Sequence, residues 1–139
     1  MQELRDRIRT VPATSPEPAA PHRSMDDVIP WSVSGALLIA WLGGLTWLFA
    51  ISPSPDPAQP ISLTDELISL AMFGSWLAVF TGLGARRRFG LVASIGAGLL
   101  IAGAGVLCGI TGHTGLWIPI QIGVGAGLAA MGGLGMKLT

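Results

Sequence analysis

Two histidines and one cysteine are the residues best suited to metal binding or nucleophilic chemistry, and their spacing favours neither. Neither His22 nor His113 has another His, Cys or carboxylate at the spacing of a metal site. His113, in the run GITGHTG, could approach Asp65 or Glu66, but a solvated loop histidine is the simpler interpretation. Cys108 is interpreted as a small packing residue. Because the common phosphate-binding, nucleophile-elbow, zinc-protease and Cys-x-x-Cys motifs are also missing from the sequence, we predict no metal, no cofactor and no enzymatic activity.

Polar groups inside the apolar stretches of the chain are few and uncharged. Ionisable residues within a membrane mark proton relays and ion paths, and these stretches contain none. Gln121 is the costliest group to place in lipid, and we expect an interhelical hydrogen bond from it. Trp41 and Trp76 fall in mid-stretch, where they pack between helices or face lipid. The hydroxyl side chains can bond to their own helix and so need no functional explanation: Ser34, Thr46, Ser69, Ser75, Thr81 and Ser94.

Four long uncharged stretches must position these groups. They run over 31–51, 67–85, 89–110 and 116–136 in a chain that is 50% hydrophobic and 12% charged. Crossing a bilayer core takes about 20 apolar helical residues. Ser62-Leu63-Thr64-Asp65 resembles a capping box, so the second helix should begin near residue 64. We predict an all-α membrane protein with four antiparallel transmembrane helices over about 31–51, 64–85, 89–110 and 116–136.

Residues 1–30 form a separate region in this interpretation, ahead of the transmembrane bundle at 31–139. The segment from 11 to 23 is rich in proline and alanine, which predicts an extended, mobile chain. Leu4, Ile8 and Val11 could line one side of a short amphipathic helix, although two turns are marginal in isolation. We therefore expect a mostly disordered N-terminal tail.

The basic residues are distributed asymmetrically, and this asymmetry predicts the threading of the chain. All of them lie in alternate segments between the spans: Arg5, Arg7, Arg9, Arg23, Arg86, Arg87, Arg88 and Lys137. Short loops that carry Lys and Arg stay on the cytoplasmic side of a membrane. We predict a multi-pass protein of the inner cell membrane with both termini and the arginine turn in the cytoplasm.

The turn GARRRFG is the candidate site. Arg86, Arg87 and Arg88 could bind anionic lipid headgroups, at about 1 kcal/mol per residue near the membrane surface. Lipid-specific clusters usually hold four or more basic residues, so fixing the topology is the interpretation that we favour. The formal net charge of zero gives no basic excess for nucleic acid, and the bilayer is the expected partner.

Small residues recur at spacings of four and three, which permits close helix packing in lipid. The predicted contact stripes are Ala36, Ala40, Gly43 and Trp47; Ala71, Gly74, Ala78 and Gly82; Ser94, Gly98, Ala102, Gly105 and Gly109; and Gly123, Gly127, Ala130 and Gly133. We predict that the third and fourth spans form the tightest pair, and that larger faces, including Leu128, meet lipid or a partner. The GxxxG motifs at 105–109 and 123–127 are interpreted as packing within the chain.

Together these exclusions favour a non-enzymatic structural or accessory subunit of a bacterial membrane assembly, with a protein partner or further copies of itself in the membrane. An oligomeric pore of the holin or phage-encoded type is one alternative, supported by the small size and the glycine-rich spans. A membrane anchor whose N-terminal tail binds a cytoplasmic partner is the other.

Overall fold

A computed structural model of the chain describes residues 24–53 and 63–139, and these form an antiparallel bundle of four α-helices. The helices are α1 (Trp31–Ile51), α2 (Leu63–Gly84), α3 (Arg88–Ile110) and α4 (Trp117–Leu138). Each is long and apolar enough to cross a membrane, by length and composition. The four predicted spans are confirmed, with boundaries that differ by at most two residues. The fold is that of a small multi-pass membrane protein.

Large apolar side chains cover the outside of the bundle. Ile39, Phe73 and Leu107 are 73%, 64% and 58% exposed, which a hydrocarbon environment tolerates and water would not. The interior is a narrow cluster in which few residues are fully enclosed: Ile29, Leu37, Trp41, Leu45, Val79, Leu83, Leu91, Ala97, Ile101 and Leu128. This distribution agrees with helices that associate in lipid by close packing.

The most extensive helix contact is between α3 and α4, as predicted, followed by that between α2 and α3. Short turns join both pairs, so consecutive helices are antiparallel neighbours. Helix α1 packs more extensively on α4 than on α2. The start of α1, the α2–α3 turn and the end of α4 therefore lie together at one end of the bundle, which we call the arginine end.

Glycines set the separation of α3 and α4 where the two helices cross. A Cβ atom added at Gly98 would lie 2.6 Å from the carbonyl oxygen of Gly125. One added at Gly125 would lie 2.6 Å from the backbone nitrogen of Ala102. A Cβ atom added at Gly105 would lie 2.8 Å from the Ile122 side chain. The predicted stripe on the third span therefore does face the fourth.

The predicted stripe on the fourth span is wrong. Gly123, Gly127 and Ala130 are exposed, and a Cβ at either glycine would meet nothing within 4 Å. The side that contacts α3 lies two residues away, at Gly125, Ala129 and Gly132, and the GxxxG motif at 123–127 makes no contact there. Leu128, expected to face lipid or a partner, is 4% exposed and lies inside the bundle. Because α4 has small residues on opposite sides, their spacing alone could not identify the contact side.

The predicted stripes of the first and second spans are also largely wrong. In α1 the larger residues Leu37, Trp41 and Leu45 point inward, together with Ser34, while Ala36, Gly43 and Trp47 are exposed. In α2, Ala71 and Gly74 are exposed and only Gly82 of the predicted set is buried. The physical reason is distance: α1 does not approach α3 closely, so long side chains fill the space between them.

Candidate functional site

The turn between α2 and α3 has a backbone geometry that glycine usually provides. The backbone N–H of Arg86 donates to the Leu83 carbonyl at 3.0 Å, and the backbone N–H of Arg87 donates to the Gly82 carbonyl at 2.8 Å. This pair of bonds is a Schellman motif, which places Arg86 in the left-handed region with φ of 57°. An L-residue pays about 1–2 kcal/mol for this conformation. We infer that the arginine side chain compensates for the cost.

The Arg86 side chain ties this turn to the segment that precedes α1. Its Nε and Nη2 atoms donate to the carbonyl of Ile29 at 3.2 and 3.0 Å. The N–H of Ile29 donates back to the Arg86 carbonyl at 2.9 Å. The guanidinium carbon also lies 6.0 Å from the centre of the Trp31 ring, within the range of a cation–π contact. Ile29 itself is 1% exposed and belongs to the core.

The neighbouring arginines extend the same contact. Arg87 pairs with Val28 in an antiparallel bridge, and its Nη1 donates to the Asp26 carbonyl at 2.6 Å. The backbone N–H of Arg88 donates to the backbone carbonyl of Asp27 at 3.0 Å. We call residues 25–29 and Arg86–Arg88 together the arginine clamp. Sequence reasoning assigned residues 24–30 to the tail, whereas the structure packs them against the α2–α3 turn.

Arg88 also reaches the end of the fourth helix. Its Nη2 lies 3.4 Å from the Met136 carbonyl, while its buried Nε has no hydrogen-bond partner. The described side-chain bonds of all three arginines are made to carbonyl oxygens, which do not neutralise the charge. The same end also carries the carboxylates of Asp26 and Asp27 beside the three arginines and Lys137. The predicted roles of the arginines in topology and lipid-headgroup binding stay predictions.

We predict that Arg86→Gly releases the segment before α1 with little change in overall stability. Glycine removes the left-handed strain, and the loss of the bonds to Ile29 offsets that gain, so the unfolding free energy should change by less than about 1 kcal/mol. Hydrogen exchange at the Ile29 amide should accelerate by about tenfold or more. Arg86→Ala is the control, since it loses the same bonds and keeps the strain. An unchanged exchange rate at Ile29 in both variants would show that the side chain does not hold the clamp.

Two buried polar contacts connect α1 to its neighbours. The indole N–H of Trp41 donates to the Ser94 hydroxyl oxygen at 2.7 Å, and both residues are fully buried. The Ser34 hydroxyl donates to the Leu83 carbonyl at the end of α2. Both serines therefore bond across helices. Thr81 instead bonds within its own helix, 2.7 Å from the Leu77 carbonyl.

Gln121 makes the interhelical hydrogen bond that the sequence predicts. Its Nε2 atom donates to the Ile101 carbonyl of α3 at 3.2 Å. Nearby, the indole of Trp76 packs edge-on against Phe49, with ring centres 5.8 Å apart. The Trp76 Nε1 atom is buried and has no hydrogen-bond partner. Sequence reasoning did not identify this unpaired donor, because burial of a single ring atom depends on tertiary packing.

Two of the residues considered for metal or thiol chemistry, Cys108 and His113, lie at the end of the bundle opposite the arginine end. The ring Nδ1 of His113 is 3.1 Å from the Thr111 hydroxyl oxygen, and the backbone N–H of His113 donates to the Cys108 carbonyl at 3.1 Å. The Cys108 thiol is free and partly buried. Within 24–53 and 63–139, no group of three or more His, Cys, Asp or Glu residues could hold a metal ion. The amphipathic pattern of Leu4, Ile8 and Val11, together with His22, lies outside the described residues.

The geometry thus offers two features that a function can use: the arginine clamp at one end of the bundle, and the buried Trp76 Nε1 atom, which has no hydrogen-bond partner. The clamp joins three parts of the chain by hydrogen bonds: the segment before α1, the α2–α3 turn and the end of α4. No family model, curated protein or solved structure matches the chain.

Proposed function

We propose that the chain is a non-enzymatic accessory subunit of a bacterial inner-membrane assembly, with the arginine end on the cytoplasmic side. The observation that carries this proposal is the position of its glycines. One group lies inside the bundle, where a Cβ atom would collide with a neighbouring helix, as at Gly98 and Gly125. A second group lies in mid-helix with nothing within 4 Å of the added Cβ: Gly35, Gly43, Gly74, Gly96, Gly103, Gly123, Gly127 and Gly133.

Contact with lipid alone does not require glycine at these outward positions. Such glycines add no packing surface, and each lowers helix propensity relative to alanine by about 1 kcal/mol in water. Small residues on a membrane helix instead permit the backbone of another helix to come close. The second group therefore supports contact with a helix outside this bundle.

The outer side of α4 is the strongest candidate for that contact. Gly123, Gly127 and Ala130 follow one another at spacings of four and three, and all three are exposed. They lie opposite Gly125 and Ala129, which are used by α3. One helix thus has a small-residue side for its own bundle and a second such side for a partner.

The proposed orientation is supported by charge. Arg86, Arg87, Arg88 and Lys137 lie at the same end of the bundle, and the opposite turn at 111–116 contains no Lys or Arg. Because cationic loops are retained in the cytoplasm, this distribution supports a cytoplasmic location for the arginine end.

The test is affinity purification of the tagged chain from its native membrane in mild detergent. We expect a larger complex that contains a second protein, and we expect Gly127→Ile to dissociate it because the added side chain blocks close approach. Gly103→Ile is the matched control, since Gly103 is equally open and exposed, but the residues three and four positions away on α3 are large: Leu99, Leu100, Val106 and Leu107. Recovery of monomer alone from the wild type contradicts the proposal. A larger complex made only of this chain also contradicts it and favours the pore alternative, which a membrane-potential assay then tests.

A further inference from the structure

A groove of about 280 Å³ opens on the outside of the bundle, between the start of α1 and the end of α4. Its walls are mostly apolar, and six hydrophobic side chains form most of them: Val33, Ala36, Leu37, Met131, Leu134 and Leu138. These residues belong to the first two turns of α1 and the last two turns of α4. Since a helix rises about 1.5 Å per residue, the groove extends about 10 Å inward from the arginine end.

The depth of this groove is that of the boundary between membrane and water. The arginine end lies where the apolar helices end. A transmembrane partner would need contact along a hydrocarbon core of about 30 Å. An amphipathic helix instead lies in the plane of the boundary, with its apolar side buried by about 5–10 Å. The groove therefore fits the apolar side chains of a segment that lies at the membrane surface.

The chain before Ser24 starts at the same end of the bundle. The arginine clamp holds residues 25–29 against the α2–α3 turn, where the backbone N–H of Phe89 donates to the Met25 carbonyl at 3.0 Å. From Ser24, residues 12–23 can span up to about 37 Å at about 3.1 Å per residue. Four helices spaced 8–10 Å apart make a bundle about 20 Å across. Residues 1–11 can therefore reach the groove from the position at which the clamp fixes the chain.

We propose that residues 2–11 dock in this groove as a short amphipathic helix. The spacing of Leu4, Ile8 and Val11 places three apolar side chains on one side of such a helix. Two turns are marginal in isolation, and the walls of the groove supply the apolar contact that an isolated helix lacks. Tethering through residues 12–23 raises the effective concentration of the segment at the groove to the order of mM. The inference is independent of the proposed accessory role, because the groove and the segment belong to one chain.

The rate of disulfide formation in the full chain tests this contact, with double-cysteine variants in a Cys108→Ala background in lipid nanodiscs. Ile8→Cys is combined with Leu134→Cys on one wall of the groove or with Ala36→Cys on the other. A disulfide requires Cα atoms within about 7 Å of each other. We expect both groove pairs to form intramolecular disulfides at least about tenfold faster than a control pair, Ile8→Cys with Val92→Cys.

Val92 is the matched control position. It lies four residues from the start of α3, as Leu134 lies four residues from the end of α4, so both are at the same depth. Val92 is 37% exposed and does not line the groove. A segment that rests on the bilayer without a fixed place would therefore meet both positions at similar rates.

Two further substitutions test which side of the segment makes the contact. Leu4→Asp should slow the groove pairs to the control rate, because it brings a carboxylate to the apolar walls. Thr10→Asp makes the same kind of change on the other side of the helix and should leave the rates unchanged. Thermal unfolding in mild detergent should be the same for all variants of the segment, since the altered residues lie outside the bundle.

Rapid disulfide formation by either groove pair supports the proposal, so misfolding of one variant does not decide it. Equal rates for the groove pairs and the control pair overturn it. Slow rates for all three pairs also overturn it and leave a lipid acyl chain as the occupant of the groove. Disulfides that form only between two chains contradict it in favour of a second copy, and equal slowing by Leu4→Asp and Thr10→Asp contradicts the proposed apolar contact.

Discussion

Gly125→Ala is expected to lower the unfolding free energy of the bundle by about 1–3 kcal/mol. The added Cβ would lie 2.6 Å from the backbone nitrogen of Ala102 and 2.6 Å from the carbonyl oxygen of Gly98. Neither atom can rotate away, because both belong to the α3 backbone. The two helices must therefore separate along their crossing, and every contact on either side of it becomes longer. Thermal unfolding of the isolated chain in mild detergent measures the loss.

Gly127→Ala is the matched control for this prediction. It makes the same chemical change two residues later in the same helix, where the added Cβ meets nothing within 4 Å. Any gain in helix propensity is therefore common to both variants, and the difference between them isolates the contact with α3. We expect the control to be as stable as the wild type or slightly more stable. Equal destabilisation by the two variants would mean that α4 is rotated relative to the structure described above.

Trp41→Ala is expected to be the most disruptive change in α1, at about 2–4 kcal/mol of unfolding free energy. The Trp41 side chain is fully buried, and it spans the distance that the α1 backbone leaves open toward α3. Removing the ring creates a cavity at the centre of the bundle and deletes the bond to Ser94. Trp41→Phe should cost less, about 1 kcal/mol, because it keeps most of the ring volume and loses mainly the hydrogen bond.

Trp47→Ala is the control for the Trp41 variants. Trp47 lies on the same helix and is 56% exposed, so its removal should leave the interior unchanged. Equilibrium unfolding in bicelles, followed by circular dichroism, ranks the three variants. A similar loss for Trp41→Ala and Trp47→Ala would contradict the inward position of Trp41.

Helix positions could be predicted from the sequence because one physical constraint dominates them. A backbone in hydrocarbon has to satisfy its own hydrogen bonds, so uncharged stretches of about 20 residues become helices. Helix α1 occupies Trp31–Ile51, the range that the uncharged stretch itself marks. The close pairing of α3 and α4 followed from their short connection and their small residues.

The contact sides of the helices could not be predicted in the same way. Helix α4 has small residues at 123 and 127 as well as at 125 and 129, so spacing alone fitted two opposite sides. The structure selects Gly125 because its neighbour on α3 is Gly98, a pairing that depends on register. In α1 the expectation that small residues mark the contact side was wrong, because the α1 and α3 backbones do not come close and the large Trp41 side chain fills the space between them.

The arginine clamp was also beyond sequence reasoning. Charge alone accounts for Arg86, Arg87 and Arg88 as topology signals, and nothing in the order of residues indicates a left-handed arginine. The contact between Ile29 and Arg86 joins parts of the chain that are 57 residues apart. The burial of the Trp76 Nε1 atom without a hydrogen-bond partner is likewise a property of packed helices rather than of any one segment.

The central claim is that four helices cross the membrane with the arginine end in the cytoplasm. Single-cysteine variants in a Cys108→Ala background, labelled on intact cells with a membrane-impermeant maleimide, test it most directly. Ser24→Cys and Thr139→Cys report on the arginine end, and Pro53→Cys and His113→Cys report on the opposite end. We predict that only Pro53→Cys and His113→Cys are labelled until the cells are opened. Labelling of Ser24→Cys or Thr139→Cys on intact cells would contradict this threading.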